Sequence, residues 1–567
     1  MSSPLLPPGG LRLGTIAGYA GLVLVSLFFL AFIIAPLVVV LGAGCRVFYW
    51  REIILNPIYR QGLFNAAAVA LTTTALCMAF ALPLAWLGSR YRFRGKGLAE
   101  ALLLAPLVLP PFVGALGVYQ LLGQFGIVNS VLEHLGLCRM GQGPDWMGHD
   151  RFAIVCVVEA LGLYPILYLL LSAAFGRMDN ALLEAARSLG ASPWTAFRRV
   201  VLPLARPALF GGGIVIFVWS FTELGTPLML GYNRVTPVQV WMGLNELSSN
   251  YLPYALVLVM LVISAGSYLL ARLLFARRYD VITEKGGGAA QLSRPLYGWH
   301  AVLAWIPFLA LAVLAMLPHL VVMVVGVAKD WYRTALPHGL TTDHLREALS
   351  HPQVVPGIIN SVAYSLSATV LCLVIGVFIA WTTVRWKPLG WQVLDLAAMT
   401  PLAVPGIIFA FGYLGIGHLF PLLDPIKNPA PLLIIAYAVR RLPLVVRASA
   451  AGLTQSPLAL EEAAASLGAG RLYTLRRITL PLIAASLAAG ALLVFSASML
   501  EVSDSMVLAQ NRDAWPITRV IYDLVAALGS GPAVACAFAT WAMLFLISAL
   551  ASAGAFLGRS PSTLFRE

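Results

Sequence analysis

Apolar residues run in long blocks along this chain, and short polar stretches separate them. A helix needs about 20 consecutive apolar residues to cross a bilayer. On that measure about twelve blocks are predicted to span, at 15–44, 65–88, 98–122, 152–175, 207–230 and 252–275, then at 301–327, 360–383, 393–419, 430–451, 484–508 and 534–557. The first block follows a single basic residue, Arg12. It is too long for a signal-peptide core and is expected to be a retained span. The pattern predicts an all-α polytopic membrane protein.

The polar stretches carry a repeat. Glu184-Ala185-Ala186 with Gly190 and Leu202-Pro203 returns as Glu462-Ala463-Ala464 with Gly468 and Leu480-Pro481. Stretches 184–203 and 462–481 share 11 of 20 residues. Other positions pair at two fixed offsets. Asn65 matches Asn360, and Pro106 and Pro110 match Pro401 and Pro405, 295 residues apart; Pro165 matches Pro443 and Glu223 matches Glu501, 278 apart. The difference implies an insertion of 17 residues in the first copy, placed most simply around Gly126–Asp150. Two six-span units in the same orientation are expected, related by a pseudo-two-fold axis along the membrane normal. Their limits are read as 1–280 and 301–567, with a Gly-rich linker at 281–300.

Composition strengthens the membrane reading. The 567 residues are 60% hydrophobic and 11% charged, with a mean hydropathy of +0.86. Soluble domains carry roughly 25% charged residues. The net charge of +13 does not point to nucleic acid, because the basic residues stand mostly at span ends. With the N-terminus cytoplasmic, inner segments hold 23 of the 37 basic residues and outer segments 12. The positive-inside rule then puts both termini and both repeated loops, about 179–206 and 456–484, in the cytoplasm.

Locally, each repeated loop reads as a ledge of two short helices. Asp179 or Asn180 is expected to cap the first helix of one copy, and Ser456, with Pro457 in the first helical position, that of the other. Gly190 and Gly468 end those helices. Arg198-Arg199 and Arg476-Arg477 follow, before Leu-Pro turns the chain back into the membrane.

The spacing E-A-A-x3-G-x9-[IV]-x-L-P resembles the coupling loop of permeases of bacterial ABC importers with the type I architecture. Glu184, Ala185, Ala186, Gly190, Val200, Leu202 and Pro203 match it, as do Glu462, Ala463, Ala464, Gly468, Ile478, Leu480 and Pro481. Tyr164-Pro165, Glu223-Leu224-Gly225-Thr226-Pro227 and Arg440-Arg441-Leu442-Pro443 are similar to the fused ferric-iron-type permeases. The resemblance implies an inner-membrane importer subunit. It implies two copies of an ATPase subunit, one per ledge, and a periplasmic or lipid-anchored solute-binding protein as partners, with membrane lipid around the spans. It implies ferric iron as solute, with thiamine, phosphonate or polyamine as alternatives. It also implies no cofactor on this chain, ATP and Mg belonging to the ATPase. The residues agree on the last point: the one Gly-Lys pair, Gly95-Lys96, has Arg90 where a Walker A loop needs glycine.

Four acids fall within the predicted spans: Glu159, Glu223, Glu501 and Asp504. A charge at the bilayer centre costs roughly 2.5–3.5 kcal/mol on insertion scales, so each needs a partner or a cavity. Glu223, Glu501 and Asp504 are candidate pathway-lining residues; the other reading is that Glu223 and Glu501 cap broken helix ends. Arg440, Arg441 and Arg447 pair with Glu501 or Asp504, snorkel, or steer an anion. No HxxxH or HxH pattern suggests a metal site, and no catalytic motif suggests an enzyme. An ion-driven carrier using Glu159, Glu223 and Asp504 as a proton relay is the competing class, though such a carrier has no use for a duplicated docking ledge. Cys45 and Cys138 fall on the outer side, where a disulfide between them is an open option.

Overall fold

The computed structural model describes residues 11–107, 109–139, 141–148, 150–178, 180–246, 250–275, 294–527 and 529–556. Residues 281–293 of the linker and the expected cap Asp179 lie outside the described residues. The described chain is almost entirely helical. Its one sheet among those residues is a two-residue parallel pairing of Tyr91–Arg92 with Arg294–Pro295, which fastens the entry of the second unit to the first.

Among the described residues, nine helices are long and apolar enough to cross a membrane, or eleven if two bent pairs each count as one span. The remaining predicted segment is the helix Ala430–Gln455. Its three arginines set it apart in composition, which brings the helical segments into one-to-one correspondence with the twelve apolar blocks.

Two pairs of spans depart from the straight rods that hydropathy alone suggests. The third block is divided into helices Lys96–Leu104 and Pro111–Leu122, and the ninth into Trp391–Ala403 and Gly406–Leu419. The ninth bends by 104° at its break. Pro110 and Pro405 sit at the same place in the two breaks, extended and just ahead of the second helix. Proline lacks the N–H an unbroken helix needs there. The fifth and eleventh blocks also stop short. Helix Leu202–Phe221 ends before Glu223 and a short helix resumes at Gly225–Met229; helix Ala484–Met499 ends before Glu501 and resumes at Ser503–Leu508.

Repeat-equivalent residues do the same work in both units. Cys77 in helix Pro57–Arg90 reaches the carbonyl of Ala160 at 3.5 Å; its counterpart Cys372 reaches that of Ala438 at 3.1 Å. Asn65 donates to the Arg234 carbonyl at 2.8 Å, and Asn360 to those of Asp513 and Trp515 at 2.9 and 3.2 Å.

The units exchange their first spans. The first span, Leu11–Phe29 continued by Ala35–Gly44, lies on the second unit: the Tyr413 hydroxyl donates to the Phe32 carbonyl at 2.7 Å, and Gly412 admits Pro36. The seventh span, Trp299–Val327, lies on the first unit, where Trp305 donates to the Arg94 carbonyl at 3.0 Å and Pro318 packs on Gly117. Hydropathy sees each span alone and carries no signal for this exchange.

The described residues of the insertion include helix Ile127–His134 and a set of side-chain bonds around it. Buried Asn129, in helix Ile127–His134, donates to the carbonyls of Gln124 and Pro144 at 3.0 and 3.1 Å and accepts from the Trp146 indole at 2.7 Å. Cys45 and Cys138 are both free thiols, so the disulfide option is not realised.

Candidate functional site

The ledges are built from the same parts. Helix Asn180–Ser188 ends where Gly190 takes φ +81°, and helix Leu458–Ser466 where Gly468 takes φ +83°. The Gly190 N–H donates to the Arg187 carbonyl at 2.8 Å and the Ala191 N–H to that of Ala186 at 3.0 Å; Gly468 and Ala469 repeat this with Ala465 and Ala464 at 3.0 and 2.9 Å. This is the Schellman closure, and left-handed backbone favours glycine there. A short helix, Pro193–Ala196 or Arg471–Thr474, then runs through a π-turn into the fifth or eleventh span. Pro203 and Pro481 each stand second in the helix that follows, where a missing N–H is harmless.

The ledges face outward. Glu184, Ala185, Glu462 and Ala463 are exposed, whereas Ala186 is half-buried and Ala464 buried against its own unit. Leu189 and Leu467, repeat partners just before the glycines, are 88% and 89% exposed. Equally placed bare leucines, with Leu182, Leu458 and Leu460 also exposed on the same helices, suit seats in a partner's groove.

One expected cap fails. Helix Ala430–Gln455 runs right up to Ser456, whose hydroxyl is buried without a hydrogen-bond partner among the described residues; Pro457 is the cap position and Leu458 the first helical residue. Arg385 explains the shift. It donates to the carbonyls of Leu453 and Ser456 at 2.8 and 2.9 Å and pairs with Glu461 at 3.3 Å, tying the ledge to the end of the eighth span. Sequence reading missed this clamp. Its one signal was Arg90 at the equivalent place in the first unit, where Leu183 stands in for Glu461.

Inside the spans the structure gathers a charged cluster. Glu501 accepts from both Arg440 and Arg441, and Arg440 also lies 3.5 Å from Asp504. Arg441 further donates to the Ala497 carbonyl at 2.8 Å. Glu501 and Asp504 are buried, and neither Asp504 oxygen has a hydrogen-bond partner among the described residues. Pairing is thus the state of Arg440 and Arg441. Arg447 lies elsewhere, 3.5 Å from Asp395 in an exposed contact, because it falls six residues past Arg441, roughly 9 Å further along the helix axis.

Glu223 stands differently. Its Oε1 accepts from the Thr226 N–H at 3.4 Å, as Glu501 Oε1 does from the Asp504 N–H at 3.5 Å, so both acids sit at the N-terminus of the short helix after the break. No ion pair to Glu223 exists among the described residues within 4 Å, although Glu501 and Arg440 are within electrostatic range. The two breaks touch: a Cβ on Gly225 would lie 3.0 Å from Val502 Cγ1.

The asymmetry has a steric counterpart. Arg440 and Gly406 meet in the second unit, where a Cβ on Gly406 would overlap the guanidinium. The equivalent residues in the first unit are Gly162 and Pro111, and there a Cβ on Gly162 would lie 2.6 Å from Pro111 Cγ. The large and small members have changed places. Glu159 is likewise particular to the first unit: it is buried, accepts from Ser220 and Thr73, and has Tyr437 as its counterpart.

The sequence model of the binding-protein-dependent transport system inner membrane component matches the chain twice, over residues 78–279 and 372–553. The Ferric transport system permease protein FbpB of Actinobacillus pleuropneumoniae is 26% identical over 85% of this chain and 68% of its own length. The Probable ABC transporter permease protein y4fN of Sinorhizobium fredii is 26% identical over 97% of this chain and 99% of its own. The Molybdenum transport system permease protein ModB of Azotobacter vinelandii is 36% identical over 31% of this chain and 80% of its own length. With two matched regions that take in both ledges and all four interrupted spans, this chain belongs to the family of binding-protein-dependent ABC importer permeases of the inner membrane.

Proposed function

We propose that the chain is the complete membrane pathway of an ATP-driven importer, with both permease halves fused. Residues 1–280 and 301–567 form the halves, and 281–300 joins them on the cytoplasmic side. Two ATPase subunits dock, one on each ledge, and a binding protein delivers solute at the opposite face. The observation that carries this is the duplicated ledge, closed by the same hydrogen bonds and presenting the same bare leucine. ATP-driven closure of the ATPase pair draws the ledges together and rocks the halves about the contact between the two breaks, giving alternating access.

Ferric iron is the solute this reading favours. Relatives bearing that name align across both halves, whereas the molybdenum permeases align with one. The greater identity of the one-half match keeps a molybdenum oxyanion as the second reading. Glu223, Glu501 and Asp504 are proposed to border the path, with Glu223 the acid left unpaired for a cation. Vesicles carrying this chain, its ATPase and its binding protein should take up ferric iron only with ATP inside. Uptake of molybdate but not iron would select the second reading, and uptake driven by a proton gradient without the ATPase would refute the importer reading.

A further inference from the structure

The contact between ledge and span is filled in one half and open in the other. In the first half Phe197, at the start of the ledge's π-turn, packs its ring 5.6 Å from that of Trp86 near the end of the second span. The repeat partners are Leu475 and Trp381. Leucine is shorter than phenylalanine, and beside it lies a groove of about 480 Å³ between the first and eighth spans. Leu24 and Phe28 form one wall, Val374 and Phe378 the other, and Trp381 and Leu475 close the ledge end.

Its walls are apolar and face the surroundings of the spans; Leu24 and Val374 are both exposed. Its ledge end is different. Tyr19 packs on Trp386 at 5.1 Å and Trp386 on Trp381 at 5.7 Å, an aromatic group of the kind that settles at headgroup level. Arg476 and Arg477 follow Leu475 directly and are exposed. An apolar groove closed by Trp381 and Leu475, with two exposed arginines next in sequence to Leu475, matches a phospholipid with an anionic head.

We propose that this groove is a binding site for one anionic phospholipid, an acyl chain lying along Leu24, Phe28, Val374 and Phe378 and the phosphate meeting Arg476 and Arg477. The lipid takes the place that Phe197 fills in the other half, and it rests on the π-turn leading from the second ledge into the eleventh span. This holds whatever solute the protein carries.

The test is native mass spectrometry of the full chain, exchanged into nanodiscs of dioleoyl phosphatidylglycerol or dioleoyl phosphatidylcholine and released in mild detergent. The chain should retain one phosphatidylglycerol and shed phosphatidylcholine. Leu475→Phe, which copies the first half, should abolish retention, as should Leu24→Trp, which fills the groove from the other wall. Arg476→Gln with Arg477→Gln should remove the preference for phosphatidylglycerol. Thermal melting in the same detergent identifies any variant that is merely unfolded. Equal retention of the two lipids by the wild-type chain would overturn the proposal, as would retention of phosphatidylglycerol by folded Leu475→Phe and Leu24→Trp variants.

Discussion

The two ledges are near copies, while the two breaks in the fifth and eleventh spans are not. Gly190 and Gly468 take the same left-handed turn and close the same hydrogen bonds. Glu223 and Glu501 share a backbone position, yet Glu501 is held by two arginines, whereas Glu223 accepts from backbone N–H and has no ion pair within 4 Å among the described residues. Duplication began with equal halves, so what stayed alike and what diverged separates two demands. On the proposed function, a partner that binds twice through the same kind of subunit would keep the ledges alike, and a single solute crossing once on the shared axis would leave the two sides of its path free to differ. The exchange of Gly162 and Pro111 for Arg440 and Gly406 shows that the divergence was accommodated by packing.

The sharpest way to break this contrast is at Arg441. Removing a charge-assisted hydrogen bond to a buried carboxylate costs about 1.5–3 kcal/mol even when a second partner, here Arg440, remains. Arg441→Leu should therefore be strongly destabilised, although Leu163 is tolerated at the equivalent place in the first half. Adding Glu501→Gln should cost less than the two single losses summed, because the Arg441–Glu501 contact can be lost only once. Melting temperatures in detergent for the singles and the double decide it, and additive losses would mean that the two side chains do not depend on each other.

Gly406→Ala should displace Arg440 and Gly162→Ala should press on Pro111, each costing about 1–3 kcal/mol through overpacking. The two should differ in kind. Only Gly406→Ala disturbs an ion pair, so only its loss should shrink in an Arg440→Met background.

At the ledges the effects should be smaller and equal. Gly190→Ala and Gly468→Ala each put a Cβ on left-handed backbone, costing roughly 1–2 kcal/mol. Open space surrounds both positions, so nothing else distinguishes them. A clear inequality in melting would show that the ledges are less alike than their hydrogen bonds.

Least disruptive is Glu223→Gln, which keeps the acceptor for the Thr226 N–H. Its stability should stay within about 0.5 kcal/mol of wild type, whereas Glu501→Gln should lose more because it strands two arginines. If Glu223 borders the path, uptake of a cationic solute should slow in the folded variant. Unchanged uptake would leave Glu223 as a helix cap alone.

Much of this was legible in the sequence, for physical reasons. The apolar spans follow from the length a bilayer demands, and the repeat from spacing that survives substitution. The breaks were half legible: Pro110 and Pro405 mark them, but apolar content continues through, so hydropathy drew straight rods. Partners across space were less legible still. Nothing local says that Leu11–Phe29 lies on the second unit, that Arg447 turns away from Glu501, or that Arg385 claims the Ser456 carbonyl and moves the start of the ledge helix. The ledge residues stand where the spacing put them because glycine and proline constrain backbone directly. Arg440 and Arg441 had several open fates, and only the position of Glu501 chose among them.

The central claim, two equivalent docks on one asymmetric membrane core, is tested most directly by the mass of the purified complex. The wild-type chain should carry two ATPase subunits. Disrupting either ledge, by Glu184→Arg with Gly190→Pro or by Glu462→Arg with Gly468→Pro, should leave one, and disrupting both should leave none while the chain stays folded. A wild-type complex with a single ATPase, or one that keeps both subunits after both ledges are disrupted, would contradict the account.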